Sequence, residues 1–234
     1  MAFLLFLAFA AASLAFGRWV VRRINARLER QRGEVRALAA RRGWQVDPDV
    51  RADDHYRLRG VTRGMAWEAV AERTGTGDDA SVSTKWHTDV VHYLDLVVLV
   101  RTRKGFQLLE SMWGKAASGL LAVMTTIIGA PAPQHTRLAR DGRRLQGRSP
   151  GFDDAFVAVV RPDAGLDDVI TAAVEKALLA WTALPLPALQ RDSLSVDVGQ
   201  TNLRVYCSGA LDAVSLERLV QIGEAFGESI TRQR

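Results

Sequence analysis

The chain has 234 residues, 48% of them hydrophobic and 24% charged, with a mean hydropathy of −0.01. That balance excludes a largely disordered chain and a polytopic membrane protein. The net charge of +5 is unevenly placed: Arg18 to Arg42 carries nine Arg and two Glu, or +7, so the rest of the chain sums to −2. Basic residues beside an apolar segment suit anionic lipid headgroups better than a phosphate-backbone groove, so no nucleic-acid partner is expected.

Met1 to Gly17 has no charged side chain. With the Arg18 stem lying along the helix, Trp19 at the interface, and Val20 and Val21 prolonging the run, residues 1–21 predict a transmembrane anchor about 31 Å long. A cleaved signal peptide is the rival, but it should begin with a positive segment that is missing here. Arg residues after the apolar run orient the remainder to the cytoplasmic side of an inner membrane. Arg18, Trp19, Arg22, Arg23 and Arg27 are the expected membrane-surface residues. Residues 22–43 read as a basic juxtamembrane helix. Ile24, Leu28, Val35, Leu38 and Ala39 form its broken apolar stripe, and Gly43 is its stop. It serves as a stalk or as a self-association helix.

Residues 44–150 read as a β-rich region with one apolar helix. One hairpin pairs His55–Thr62 with Met65–Arg73 around Arg63-Gly64. A second pairs Ser81–Val91 with Leu94–Arg103 around His92-Tyr93, after a polar turn at 75–79. From Gly105 to Gly129 apolar residues recur at helical spacing, which predicts a buried helix or one lying on a membrane surface. Gln134–Pro150 reads as a loop or short strands. Its Arg137, Arg140, Arg143, Arg144 and Arg148 are a candidate contact for an anionic surface.

Residues 151–234 read as β-α-β-β-α. Phe156–Val160 is a strand. A helix opens at Pro162-Asp163 and carries Leu166, Val169, Ile170, Val174, Leu178 and Trp181 on one face. Ser193–Val198 and Leu203–Ser208 form a hairpin around 199–202, and Asp212 caps a last helix. The expected fold class is α+β: an N-terminal transmembrane helix, antiparallel hairpins, then this module.

Chemistry is sparse. His87, Asp89 and His92 are close enough to suggest a metal site, but His92 points to the other side of a regular strand, and solvated strand residues explain all three. His55 and His135 have no nearby partner. Cys207, alternating with Leu203 and Val205, reads as a small core residue, and as the single cysteine it has no disulfide partner. The glycines at 75 and 77 lack the Lys-Ser/Thr of a phosphate loop. No catalytic residue, metal or cofactor is assigned.

Phe152-Asp153-Asp154-Ala155-Phe156-Val157-Ala158-Val159, the helix ending at Leu178-Leu179 and the two strands after it resemble a module of uncharacterised bacterial membrane-anchored proteins. The likeness covers the C-terminal third and implies no functional residues. The expected function is a single-pass, membrane-anchored, non-enzymatic interaction or scaffold protein, with a membrane-associated protein as partner. A lipid-surface-binding domain is the alternative, and an enzyme with an unrecognised site comes third.

Overall fold

The computed structural model describes residues 2–48, 54–74, 81–88, 96–113, 133–162, 168–199 and 202–231. It begins with α1 (Ala2–Arg42), one unbroken helix of 41 residues. Gly43 ends it at φ +68°, where a side chain would be strained, and the Trp44 N–H donates to the Ala39 carbonyl at 2.8 Å. Gly33 sits inside the helix.

The expected anchor over 1–21 is corrected here. Among the described residues no helix is long and apolar enough to cross a membrane. The charge-free part of α1, Ala2–Gly17, spans only about 24 Å at 1.5 Å per residue, against about 30 Å of hydrocarbon. The same rod then continues through nine Arg to Arg42.

Nine strands follow: β1 (Gln45–Val46), β2 (Asp54–Thr62), β3 (Met65–Thr74), β4 (Ser81–Thr88), β5 (Leu96–Thr102), β6 (Arg143–Leu145), β7 (Phe156–Val160), β8 (Ser195–Gly199) and β9 (Leu203–Ser208). They form one sheet, ordered β1-β2-β3-β4-β9-β8-β5-β7-β6, with neighbours antiparallel. The chain is therefore α+β. The first hairpin is as expected: Arg63 (φ 52°) and Gly64 (φ 81°) supply the two positive φ values of a tight turn between β2 and β3. The β8–β9 hairpin also stands, although Gln200 and Thr201 at its tip lie outside the described residues.

The second hairpin does not form. β4 pairs with β9, β5 pairs with β7 and β8, and the β8–β9 hairpin is inserted between β4 and β5. The expected turn at His92-Tyr93 lies outside the described residues, as does the one at 75–79.

Helices complete the molecule: α2 (Arg103–Trp113), α3 (Pro133–Asp141), α4 (Pro150–Ala155), α5 (Ala172–Thr182), α6 (Ala188–Asp192) and α7 (Ala213–Thr231). Residues 114–132, most of the expected apolar helix, are outside the description. The loop or short strands expected over Gln134–Pro150 are instead the helix α3 followed by one short strand, β6. The helix expected from Pro162 starts ten residues later, where the Thr171 hydroxyl accepts from the Val174 N–H at 3.3 Å. Asp212 caps α7 as expected, accepting from Ser215 N–H at 2.8 Å.

One row of cross-strand neighbours defines the main core: Leu58, Ala69, Trp86, Val205, Val196, Val100, Ala158 and Leu145, from β2 to β6. All eight are buried beneath the apolar faces of α5 and α7. Val35, Leu38 and Ala39, the last apolar residues of the expected stripe, dock the end of α1 onto the same core. Closely approaching backbones make this possible. At Gly223 in α7 a Cβ would meet the Trp86 ring at 2.4 Å.

Candidate functional site

Side chains alternate across a strand, so the residues next to the core row face the other way. Their cross-strand row reads Arg59, Glu68, His87, Arg204, Asp197, Leu99, Val159 and Arg144. A parallel row reads Arg57, Val70, Lys85, Tyr206, Ser195, Arg101 and Val157. The face is divided. Over β5 and β7, α2 and α3 cover it through a second cluster of Leu99, Phe106, Leu109, Leu138, Ala139, Val157 and Val159. Over β2, β3 and β4 it is partly open: Glu68, Glu72, Lys85 and His87 are part-exposed, while Val70 and Ser83 beside them are buried.

The open half is a network of cross-strand charges. Glu68 meets Arg59 at 3.1 Å, Arg57 at 3.5 Å and His87 Nε2 at 3.3 Å, and Lys85 pairs with Glu72. At its β1 edge Gly43, Gln45, Arg59, Val61, Glu68 and His87 line a cleft of about 500 Å³.

At the border with the covered half the polar groups go inside. His135 on α3 places Nε2 2.9 Å from Asp197 Oδ2, with both residues buried. Ser195 donates to Asp197 Oδ1 at 2.8 Å, and Arg204 donates to Oδ2 from Nε at 3.2 Å. Burial pushes the Asp197 carboxyl pKa up. The charge and hydrogen bond of His135, with the charges of Arg204 and Arg101, outweigh that and hold it well below the usual range. Burial lowers the pKa of Arg101, and its Nε is buried without a hydrogen-bond partner, as is Nδ1 of His135.

Nothing close in sequence joins His135 to Asp197, and reading the sequence missed the pair. The available signal was Asp197 itself, an acid between Val196 and Val198 in a strand, which requires a buried counter-group. His87 has Glu68 as its neighbour, while Asp89 and His92 lie outside the described residues. Among the described residues no group of three His, Cys, Asp or Glu could hold a metal ion. Cys207 is buried, and burial pushes its thiol pKa up to about 12.

The expected anionic-contact residues are spread over several elements. Arg137 and Arg140 are exposed on α3, where Arg140 pairs with Asp141 at 2.7 Å. Arg143 and Arg144 are consecutive on β6 and so project to opposite faces. Arg144 reaches Glu110 at 3.1 Å and lies over the Phe106 ring. Arg148 is exposed before α4, its N–H donating to buried Glu175 at 2.8 Å. Of the expected membrane-surface group, Arg18, Trp19, Arg22 and Arg23 are exposed on α1, with Arg23 over the Trp19 ring. Arg27 is on the same helix.

Fold and site together define an α+β protein with one antiparallel sheet, its main core on one face and a smaller apolar cluster on the other among the described residues. Comparison with protein-family models, curated proteins and solved structures yields no match.

Proposed function

We propose that the protein acts by binding, as a non-enzymatic interaction or scaffold protein whose partner docks on the charged β2–β4 half of this face. The observation that carries this reading is that half-face itself. It is charged and bordered by a cleft, and its side chains are already held by cross-strand ion pairs, so docking costs little side-chain entropy. Arg59 is the most exposed charge of this network, with 57% of its side chain accessible, and is the group an acidic protein surface would meet first. The acid–base pair beside it, His135 with Asp197, is buried and committed to internal hydrogen bonds, which favours binding over proton transfer.

The test places a photo-reactive residue in the full chain at Val61, 71% exposed on that face, or at Leu189, 86% exposed on α6. Illumination in the native cells should give one discrete protein adduct from Val61 and none from Leu189. Arg59→Glu should abolish it. Equal adducts from both positions, or a Val61 adduct indifferent to Arg59→Glu, would refute the reading.

A further inference from the structure

We infer that Arg101 and Arg204, with His135 beside them, form a binding site for a small oxyanion, a phosphate or a carboxylate. The inference stands apart from the docking proposal, because it concerns the border of the covered half and a ligand of a few atoms.

The register builds the site. Arg101 on β5 lies across from Ser195 on β8, and Arg204 on β9 lies across from Asp197, two residues further along β8. Both guanidinium groups therefore share a face with Asp197, and His135 closes on it from α3. Asp197 Oδ1 accepts from Ser195, and Oδ2 faces His135 and accepts from Arg204. None of these bonds involves Arg101, whose buried Nε has no partner among the described residues. One carboxylate thus faces two guanidinium groups and an imidazole.

Leaving a guanidinium Nε buried and unsatisfied is costly, and folds keep few such atoms. An oxyanion answers that need. A planar guanidinium takes two oxygens at once, and the second positive charge adds attraction without a second hydrogen bond being required. With Asp197 already neutralised by Arg204 and His135, its charge does not repel the ligand strongly.

Isothermal titration of the full chain with inorganic phosphate, acetate and chloride, each at constant ionic strength, tests this. Saturable one-to-one binding of phosphate, acetate or both is expected, and the lower Kd identifies which oxyanion the site takes. Arg101→Met should weaken that binding at least about tenfold, while Arg137→Met on the exposed side of α3 should leave it unchanged. A melting curve without ligand shows whether Arg101→Met folds. If it does not, Arg101→Lys serves: it keeps the charge, loses the fork, and should also weaken binding. No saturable binding by the wild type overturns the site. So does chloride binding as tight as either oxyanion, or equal affinity in the Arg101 variant that folds.

Discussion

His135 Nε2 lies 2.9 Å from Asp197 Oδ2, although 62 positions separate the two residues and one belongs to a helix, the other to a strand. The bond ties α3 to the middle of the sheet at a point where the surroundings are buried. The Asp197 carboxylate owes its low pKa to that contact together with Arg204 and Arg101.

A carboxylate whose folded pKa is depressed adds stability above its unfolded pKa of about 3.9, and that stability is lost as pH falls below it. Asp197→Asn should therefore cost about 3–5 kcal/mol at neutral pH, because it leaves Arg204 and Arg101 without their counter-charge. The loss of stability on acidification below about pH 4 should be shallower in the variant than in the wild type. Urea unfolding across that range measures both, and parallel pH curves would count against the assignment.

Gly223 and Gly33 make opposite predictions from the same substitution. A Cβ at Gly223 would stand 2.4 Å from the Trp86 ring, whose indole is wholly buried between α7 and the sheet. Gly223→Ala should destabilise the chain by about 1–3 kcal/mol. At Gly33, inside α1, nothing lies within 4 Å. Gly33→Ala should stabilise by about 0.5–1 kcal/mol through helix propensity alone. Denaturation midpoints of the two variants should move in opposite directions.

Cys207 should be chemically silent in the folded chain. Its side chain is buried, its Sγ donates to the Gln190 carbonyl at 3.3 Å, and burial raises the thiol pKa to about 12. Only the thiolate alkylates readily, so iodoacetamide at pH 8 should leave native protein unmodified and label it once urea unfolds it. Mass spectrometry after short exposure reads the difference. Prompt labelling of native protein would show that the strand opens.

Local interactions were the legible part of the fold. The β2–β3 turn could be read from Arg63-Gly64 because two adjacent residues must take positive φ there. The Asp212 cap and the Gly43 stop could be read because each satisfies backbone groups within a turn of the helix. The start of α5 was misplaced for a related reason: apolar periodicity continues upstream of Thr171, and periodicity alone does not say which residue caps the helix.

What failed were the long-range pairings. Two strand-like runs close in sequence suggest a hairpin, yet β4 and β5 are separated by β8 and β9, which arrive about a hundred residues later. The candidate site depends on the same insertion. Arg204 and Asp197 come in with the hairpin, Arg101 waits on β5, and His135 is brought over them by α3. Asp197 and Arg204 are partners within that one hairpin, but Arg101 and His135 have no local partner that marks them.

The sequence alone therefore determined the class of fold, the hairpins with a turn signature, the core faces of α5 and α7, and the burial of Cys207, since each follows from spacing along one element. Only the tertiary structure decided which strands are neighbours, where the guanidinium groups of Arg101 and Arg204 meet one carboxylate, and that α1 is a single rod with a charge-free part too short to span a membrane. Strand order and charge pairing are settled by which apolar faces bury best together, and that competition is global.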